Sequence, residues 1–234
     1  MRGRVTNHFA NKSARLKVKY SCLLMSLLLM SAPVFAITLT VEVQDVKGRP
    51  VPAVVVTAGE QSAAAVGGQV DALTMTMDQI KMQFVPEVLV VPVGASVAFP
   101  NSDSISHQVY SFSPAKRFQL PLYKGSANPP VVFDKPGLVV LGCNIHDMMV
   151  GYLYVTSAPW YGQTDAHGQL TLNTVRAGSV TVTIWSPYLT DAPDLLSKTL
   201  QVEAASDPLS VIFKLRKPVR SSPQPRPRRA DWDY

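Results

Sequence analysis

Residues 138–149 read Leu138-Val139-Val140-Leu141-Gly142-Cys143-Asn144-Ile145-His146-Asp147-Met148-Met149. Leu138 to Gly142 is a short apolar run of strand-forming residues, which predicts a buried β-strand. The seven residues after it break that pattern and carry a thiol, an imidazole and two thioethers. Alternation then resumes in Gly151-x-Leu153-x-Val155. A strand that ends in such a loop brings soft donors to one point while its own body is anchored in a core.

Working outward, Phe99-Pro100-Asn101-Ser102-Asp103 ends another strand, and His107 follows four residues after Asp103. Two imidazoles, one thiolate and a thioether are the donors of a blue-copper site. Thiolate and thioether suit Cu(I), and imidazole serves both oxidation states. A zinc site with Asp147 in place of Met149 is the competing reading. His107 read alone is a strand-end histidine, and its place after Asn101-x-Asp103 favours a ligand. His167, third in Asp165-Ala166-His167-Gly168, reads as a solvated turn residue. Met75, Met77 and Met82 are spaced as strand residues, and packing explains them better than a copper-loading patch.

The remaining pattern is all-β. Ile37 to Val43 alternates with period two, and Asp45-Val46-Lys47-Gly48-Arg49-Pro50 predicts a turn into a second strand over Val51–Thr57. Residues 59–73 are rich in Ala, Gly and Ser and read as a connector. Strands resume near Thr74 and continue to Val155. Ser157-Ala158-Pro159 marks a change of texture, and Thr164 to Gly168 predicts another turn. Further strands are expected over Gln169–Leu172, Ser179–Trp185, Lys198–Val202 and Leu209–Leu215, with Trp160 and Tyr161 in a core or at a junction. The tail, residues 216–234, sets Pro218, Pro223, Pro225 and Pro227 among Arg and Ser and predicts disorder.

The first 36 residues have a basic head, an apolar run from Leu23 to Met30 and the small-residue exit Val34-Phe35-Ala36, as in a secretory signal peptide cut after Ala36. The chain has 22 basic and 16 acidic residues, a formal +6. Six of the basic residues lie in that leader, so the remainder is close to neutral. Residues 37–213 carry nine basic and 14 acidic residues, which argues against nucleic-acid binding; seven basic residues crowd into residues 214–234. Export to the periplasm would leave Cys143 as the only cysteine in an oxidising compartment, where an unshielded lone thiol is vulnerable.

The segment from about residue 74 to 157 resembles the cupredoxin family, in particular its plastocyanin and amicyanin group. The resemblance rests on Phe84-x-Pro86, Leu89-x-Val91, Gly94-x-x-Val97-x-Phe99-x-Asn101-x-Asp103 and His107-x-Val109. It continues in Phe133-x-x-Pro136-Gly137, Cys143-x-x-His146-x-x-Met149 and Gly151-x-Leu153-x-Val155. It implies a Greek-key β-sandwich holding one type 1 copper per chain on His107, Cys143, His146 and Met149. The short loop matches the amicyanin form, which makes Met149 the axial ligand and Met148 its runner-up. His146 would then lie near the surface in an apolar patch and serve as the electron port. One departure is Gln108, where family members carry an Asn that ties the ligand loops together. The flanks, in Asp45-x-x-Gly48-x-Pro50, Asp165-x-x-Gly168-x-Leu170-x-Leu172 and Gly178-x-Val180-x-Val182, resemble transthyretin-like domains of the carboxypeptidase-regulatory type. That places residues 37–58 and 160–215 in one sandwich interrupted by the other. The whole arrangement resembles bacterial methylamine-utilisation-type proteins.

The expected function is one-electron transfer in the periplasm, by a monomer with transient redox protein partners. Membrane contact is expected only through the basic tail. Copper delivery, or a zinc-binding module without redox activity, is the alternative. An enzyme is not expected. A thiol protease needs an activating helix N-terminus near Cys143, and a multicopper oxidase needs many histidines and a His-Cys-His stretch, whereas Gly142 and Asn144 flank Cys143.

Overall fold

The computed structural model describes residues 37–59, 74–175, 177–191, 196–203 and 209–220. The expected leader, most of the connector and the tail beyond residue 220 lie outside the described residues. Among those described, the regular structure is β throughout, and no helix is long and apolar enough to cross a membrane.

Period-two alternation sets the first sandwich. In β1 (Ile37–Gln44), Ile37, Leu39, Val41 and Val43 are buried and the residues between them are half-buried. One face therefore turns to a core. β1 lies between β14 (Gln169–Val175), antiparallel to it, and β17 (Leu209–Lys214), parallel to it. The opposing sheet runs β13 (Trp160–Gln163), β2 (Val55–Ala58), β15 (Gly178–Trp185) and β16 (Ser197–Val202). Leu39, Val41, Val56, Val182, Ile184 and Phe213 fill the space between the two sheets.

The second strand is shorter than its composition predicts, because Val51–Val54 are not extended into the sheet. Pro50 and Pro52 cannot donate to a ladder. Ala53 is left-handed at φ 57, and the Val54 N–H is taken by the Thr164 hydroxyl at 3.0 Å.

The second sandwich comes from residues 74–156. Its larger sheet orders β6 (Val88–Pro92), β12 (Val150–Thr156), β11 (Gly137–Gly142), β8 (Tyr110–Ser113) and β9 (Lys116–Gln119). β10 (Val131–Val132), β7 (Ser96–Ala98) and β3 (Thr74–Thr76) form a smaller sheet, and β4 (Asp78–Ile80) pairs with β5 (Gln83–Val85) as a hairpin. Met77, Phe84, Val97, Phe133, Leu141 and Leu153 share this core with Cys143 and Met149. Met75 packs against it, but Met82 is 51% exposed in the β4–β5 turn, so packing does not explain that methionine.

The outer faces of the two sandwiches meet. Val88 and Val90 of β6 and Val55 of β2 are buried together, with Tyr152, Tyr154, Tyr161 and Trp185 around them. The Trp185 ring lies 6.0 Å from Tyr152 and 5.4 Å from Tyr154, within aromatic contact. Both faces of β6 and β12 are thereby covered, which fixes the strand that leaves the donor loop.

Candidate metal centre

β11 and β12 are paired residue by residue up to Gly142 and Val150. The loop closed by that pair is Cys143–Met149. Two backbone bonds shape it, from the His146 N–H to the Cys143 carbonyl (3.4 Å) and from the Met149 N–H to the His146 carbonyl (2.8 Å). The first turn brings the His146 ring back over Cys143, and the second returns Met149 to the core. Cys143 is 2% exposed and Met149 is 1% exposed. Met148, the alternative thioether, is 66% exposed. His146 is half-buried between the exposed chain neighbours Ile145 and Asp147.

His107 reaches the same point from the other sheet edge. Its backbone exchanges two hydrogen bonds with Tyr123, at 3.0 and 2.9 Å. Its ring is fully buried. The His107 Nδ1 lies 3.2 Å from the His146 Nδ1 and 3.9 Å from the Cys143 Sγ, and the His146 Nδ1 lies 3.7 Å from that Sγ. These three residues form the one group of metal-capable side chains found among the described residues, and Asp147 is not in it. The carboxylate of the zinc alternative is therefore not gathered with the other donors.

The donor set fits a metal ion on its own dimensions. The circumradius of a triangle with those three sides is about 2.1 Å, against bonds of about 2.0–2.1 Å to imidazole nitrogen and about 2.3 Å to thiolate sulfur. A central cation would be within bonding distance of all three. Two imidazole nitrogens and a sulfur face one another at the end of a buried core, and a cation or a shared proton satisfies such a group.

Polar residues behind the donors hold the loops. The Asn101 amide donates to the carbonyls of Ile105 (2.9 Å) and Tyr123 (2.8 Å), and its oxygen accepts from the Asp103 N–H (3.0 Å). The Tyr123 hydroxyl donates to the Phe99 carbonyl and accepts from Gln79 (2.6 Å). Burial pushes that phenol up to about 12, against the opposing Gln79 hydrogen bond and with help from the Asp78 and Cys143 charges. Asp103 accepts from His107 Nε2 at 2.6 Å and from the backbone N–H groups of Lys81 (2.5 Å) and Met82 (2.8 Å). Burial raises its carboxyl, but the donors from Met82, His107 and Lys81 outweigh that and hold it below the ordinary carboxylate range. Gln108 is half-buried beside His107, and Asn101 holds the segment before His107 to the Tyr123 backbone.

Sequence reasoning did not assign roles to Asp103, Asn101, Tyr123 or Gln79. Asp103 carried one signal, its place four residues before His107. Nothing local marks Tyr123 or Gln79. His167 lies on its turn, its N–H bound by Asp165 at 2.8 Å, away from the donor group.

No protein-family profile matches the chain, and no curated protein does. Among solved structures, the Cu-containing nitrite reductase of Thermus scotoductus SA-01 is 29% identical over 36% of this chain and 22% of its own length, with a TM-score of 0.34. This chain thus spans less than a quarter of that reductase. The purple cupredoxin of Nitrosopumilus maritimus is 24% identical over 35% of this chain and 97% of its own, at a TM-score of 0.31. A reduced amicyanin variant is 24% identical over 43% of this chain and 97% of its own, at 0.32. These neighbours are cupredoxins or copper enzymes, and the overlaps are partial. The metal assignment rests on the donor atoms.

Proposed function

We propose that the protein is an exported type 1 copper protein that carries single electrons between redox partners in the periplasm. The observation that carries this reading is the buried triangle of His107 Nδ1, His146 Nδ1 and Cys143 Sγ. Copper bound there would supply a one-electron Cu(II)/Cu(I) couple. Cys143 would provide the thiolate, His107 and His146 the imidazoles, and Met149 a weak axial thioether. The chain's own part is rigidity and dryness. The loop is closed by the Gly142–Val150 pair, His107 is fixed by Tyr123 and Asp103, and Cys143 and Met149 are almost wholly buried. Donors held this way rearrange little when charge changes, which is what rapid electron transfer asks of a protein. The exposed Ile145 and Met148 on either side of His146 suit a small, short-lived interface with another redox protein. No catalytic role is proposed.

The test is a visible absorption spectrum of the purified chain during Cu(II) titration. One intense blue band saturating at one copper per chain, bleached by reductant and restored by oxidant, is the expected result. Cys143→Ser should abolish the band, and Met149→Gln should keep copper while shifting the potential. A colourless chain that takes up zinc, or blue colour that survives Cys143→Ser, would overturn the reading.

A further inference from the structure

The loop before His107 contains a carboxylate that touches three things at once. Asp103 Oδ2 is 2.6 Å from His107 Nε2 and also accepts the Met82 N–H, while Oδ1 accepts the Lys81 N–H. Lys81 and Met82 are both left-handed, at φ 52 and 58, a conformation that costs a side-chain-bearing residue about 1–2 kcal/mol. Two such residues in succession form the two-residue turn joining β4 to β5. Asparagine and glycine are the usual occupants of that turn. Both N–H groups of this turn point at Asp103, so the turn and the carboxylate hold each other.

From this arrangement we propose that Asp103 is a positioning residue that fixes the His107 tautomer and lowers the reduction potential of the centre. The inference rests on the copper reading above. An acceptor at Nε2 requires the proton there, which leaves the Nδ1 lone pair free to face Cys143 and His146. A carboxylate on the far side of a fully buried ring also makes that ring a stronger donor. It adds negative charge where solvent screening is weak, and both effects favour the more highly charged metal state. The β4–β5 turn is then part of the metal site's support, although no residue of it carries a donor.

The experiment is the reduction potential and absorption band of the copper-loaded full chain, compared with Asp103→Asn and Asp78→Asn. Asp78 is the control. It is a nearby carboxylate on the same loop system, bound to the Ser102 N–H (3.2 Å) and hydroxyl (2.7 Å), and it does not touch His107. Asp103→Asn should keep the blue band and lower the Cu(II)-to-Cu(I) affinity ratio about tenfold, a rise of about 59 mV for one electron. Asp78→Asn should move the potential much less. An unchanged potential in Asp103→Asn, or an equal rise in both variants, overturns the role of Asp103 and leaves the copper reading standing. Copper uptake absent from the unmodified chain overturns both. Should Asp103→Asn fail to fold, proton NMR of the unmodified Cu(I) protein decides. A slowly exchanging, downfield His107 Nε2–H is expected, and a freely exchanging one overturns the proposal.

Discussion

The two sandwiches are made of the same kind of strand, yet they place their polar groups differently. In the flanking one, built on β1, β2 and β13 to β17, two turns are near copies. The side chains of Asp45 and Asp165 each accept two backbone N–H bonds, from Lys47 and Arg49 (2.8 and 2.9 Å) and from His167 and Gln169 (2.8 and 2.9 Å). Gly48 and Gly168 close them at φ 75 and 69. Every one of these bonds stays within its own turn. In the donor-bearing sandwich the polar side chains link distant segments. Gln79 meets Tyr123, Asn101 meets Tyr123, and Asp103 meets Lys81 and Met82. Local bonds end strands cleanly, whereas the long-range ones converge on a single point. The second pattern is the one that supports a site.

The largest expected effect tests the flanking sandwich against itself. A Cβ added at Gly168 would stand 2.7 Å from the Val43 carbonyl oxygen and 2.9 Å from the Val51 nitrogen, while one at Gly48 meets nothing within 4 Å. Gly48→Ala therefore carries only the left-handed penalty, about 1–2 kcal/mol. Gly168→Ala adds a clash with backbone that has no room to give, for a total of about 2–5 kcal/mol. Urea denaturation of the two variants should separate them clearly. Both should bind metal as the unmodified chain does wherever they remain folded. Equal losses would mean that the two turns pack alike.

A smaller effect sets one sandwich against the other. Thr164 is buried in the flanking sandwich, accepting from the Val54 N–H (3.0 Å) and donating to the Val51 carbonyl (2.8 Å). Thr164→Val and Asn101→Ala should each cost about 1–3 kcal/mol, the usual range for buried polar partners left unpaired. Only Asn101→Ala should also weaken metal binding, because it frees the loop between Asp103 and His107. Metal affinities that fall equally in the two variants would erase the distinction between polar groups that converge on the donor loops and those that do not.

Much of this architecture is legible in the residues. The alternation from Ile37 to Val43 reads directly as a strand with one buried face, and the apolar run before Cys143 reads as β11. The Asp-x-x-Gly spacing carries its own turn chemistry, since both the side-chain acceptor and the left-handed residue are written into it. Cys143, His146 and Met149 lie within seven residues, so one loop had to hold them close. Other features depend on contacts that no local pattern records. Val51–Val54 have strand composition, but Pro52 has no donor, the Val51 N–H goes back to the Val43 carbonyl, and those of Ala53 and Val54 are diverted to Thr164. Lys81-Met82 forms a left-handed turn with neither asparagine nor glycine, because Asp103, more than twenty residues away, accepts both N–H groups. That partnership exists only after the two sheets have come together.

The smallest effect concerns acid, and it distinguishes the two turns that otherwise match. Backbone hydrogen bonds lower both carboxyls from the ordinary value of 3.8, that of Arg49 first for Asp45 and that of Gln169 first for Asp165. A carboxyl depressed in the folded state contributes stability that is fully present above the unfolded value and is lost as pH falls through the folded one. Both contributions should therefore be intact at pH 5 and fade below about pH 4. Asp45→Asn and Asp165→Asn should each flatten the fall in urea midpoint between pH 5 and pH 3. The turns differ in their last residue. Arg49 pairs with Asp45 at 2.7 Å through an exposed guanidinium, whereas Gln169 brings no charge and Asp165 has only a weaker coulombic contribution from His167. Added salt screens an exposed pair and leaves backbone hydrogen bonds nearly untouched. The acid sensitivity due to Asp45 should consequently shrink more in high salt than that due to Asp165, where the charge of His167 is the last and smallest of the effects. An identical salt response at both positions would show that the Arg49 ion pair adds nothing beyond the weaker charge effect that His167 has on Asp165.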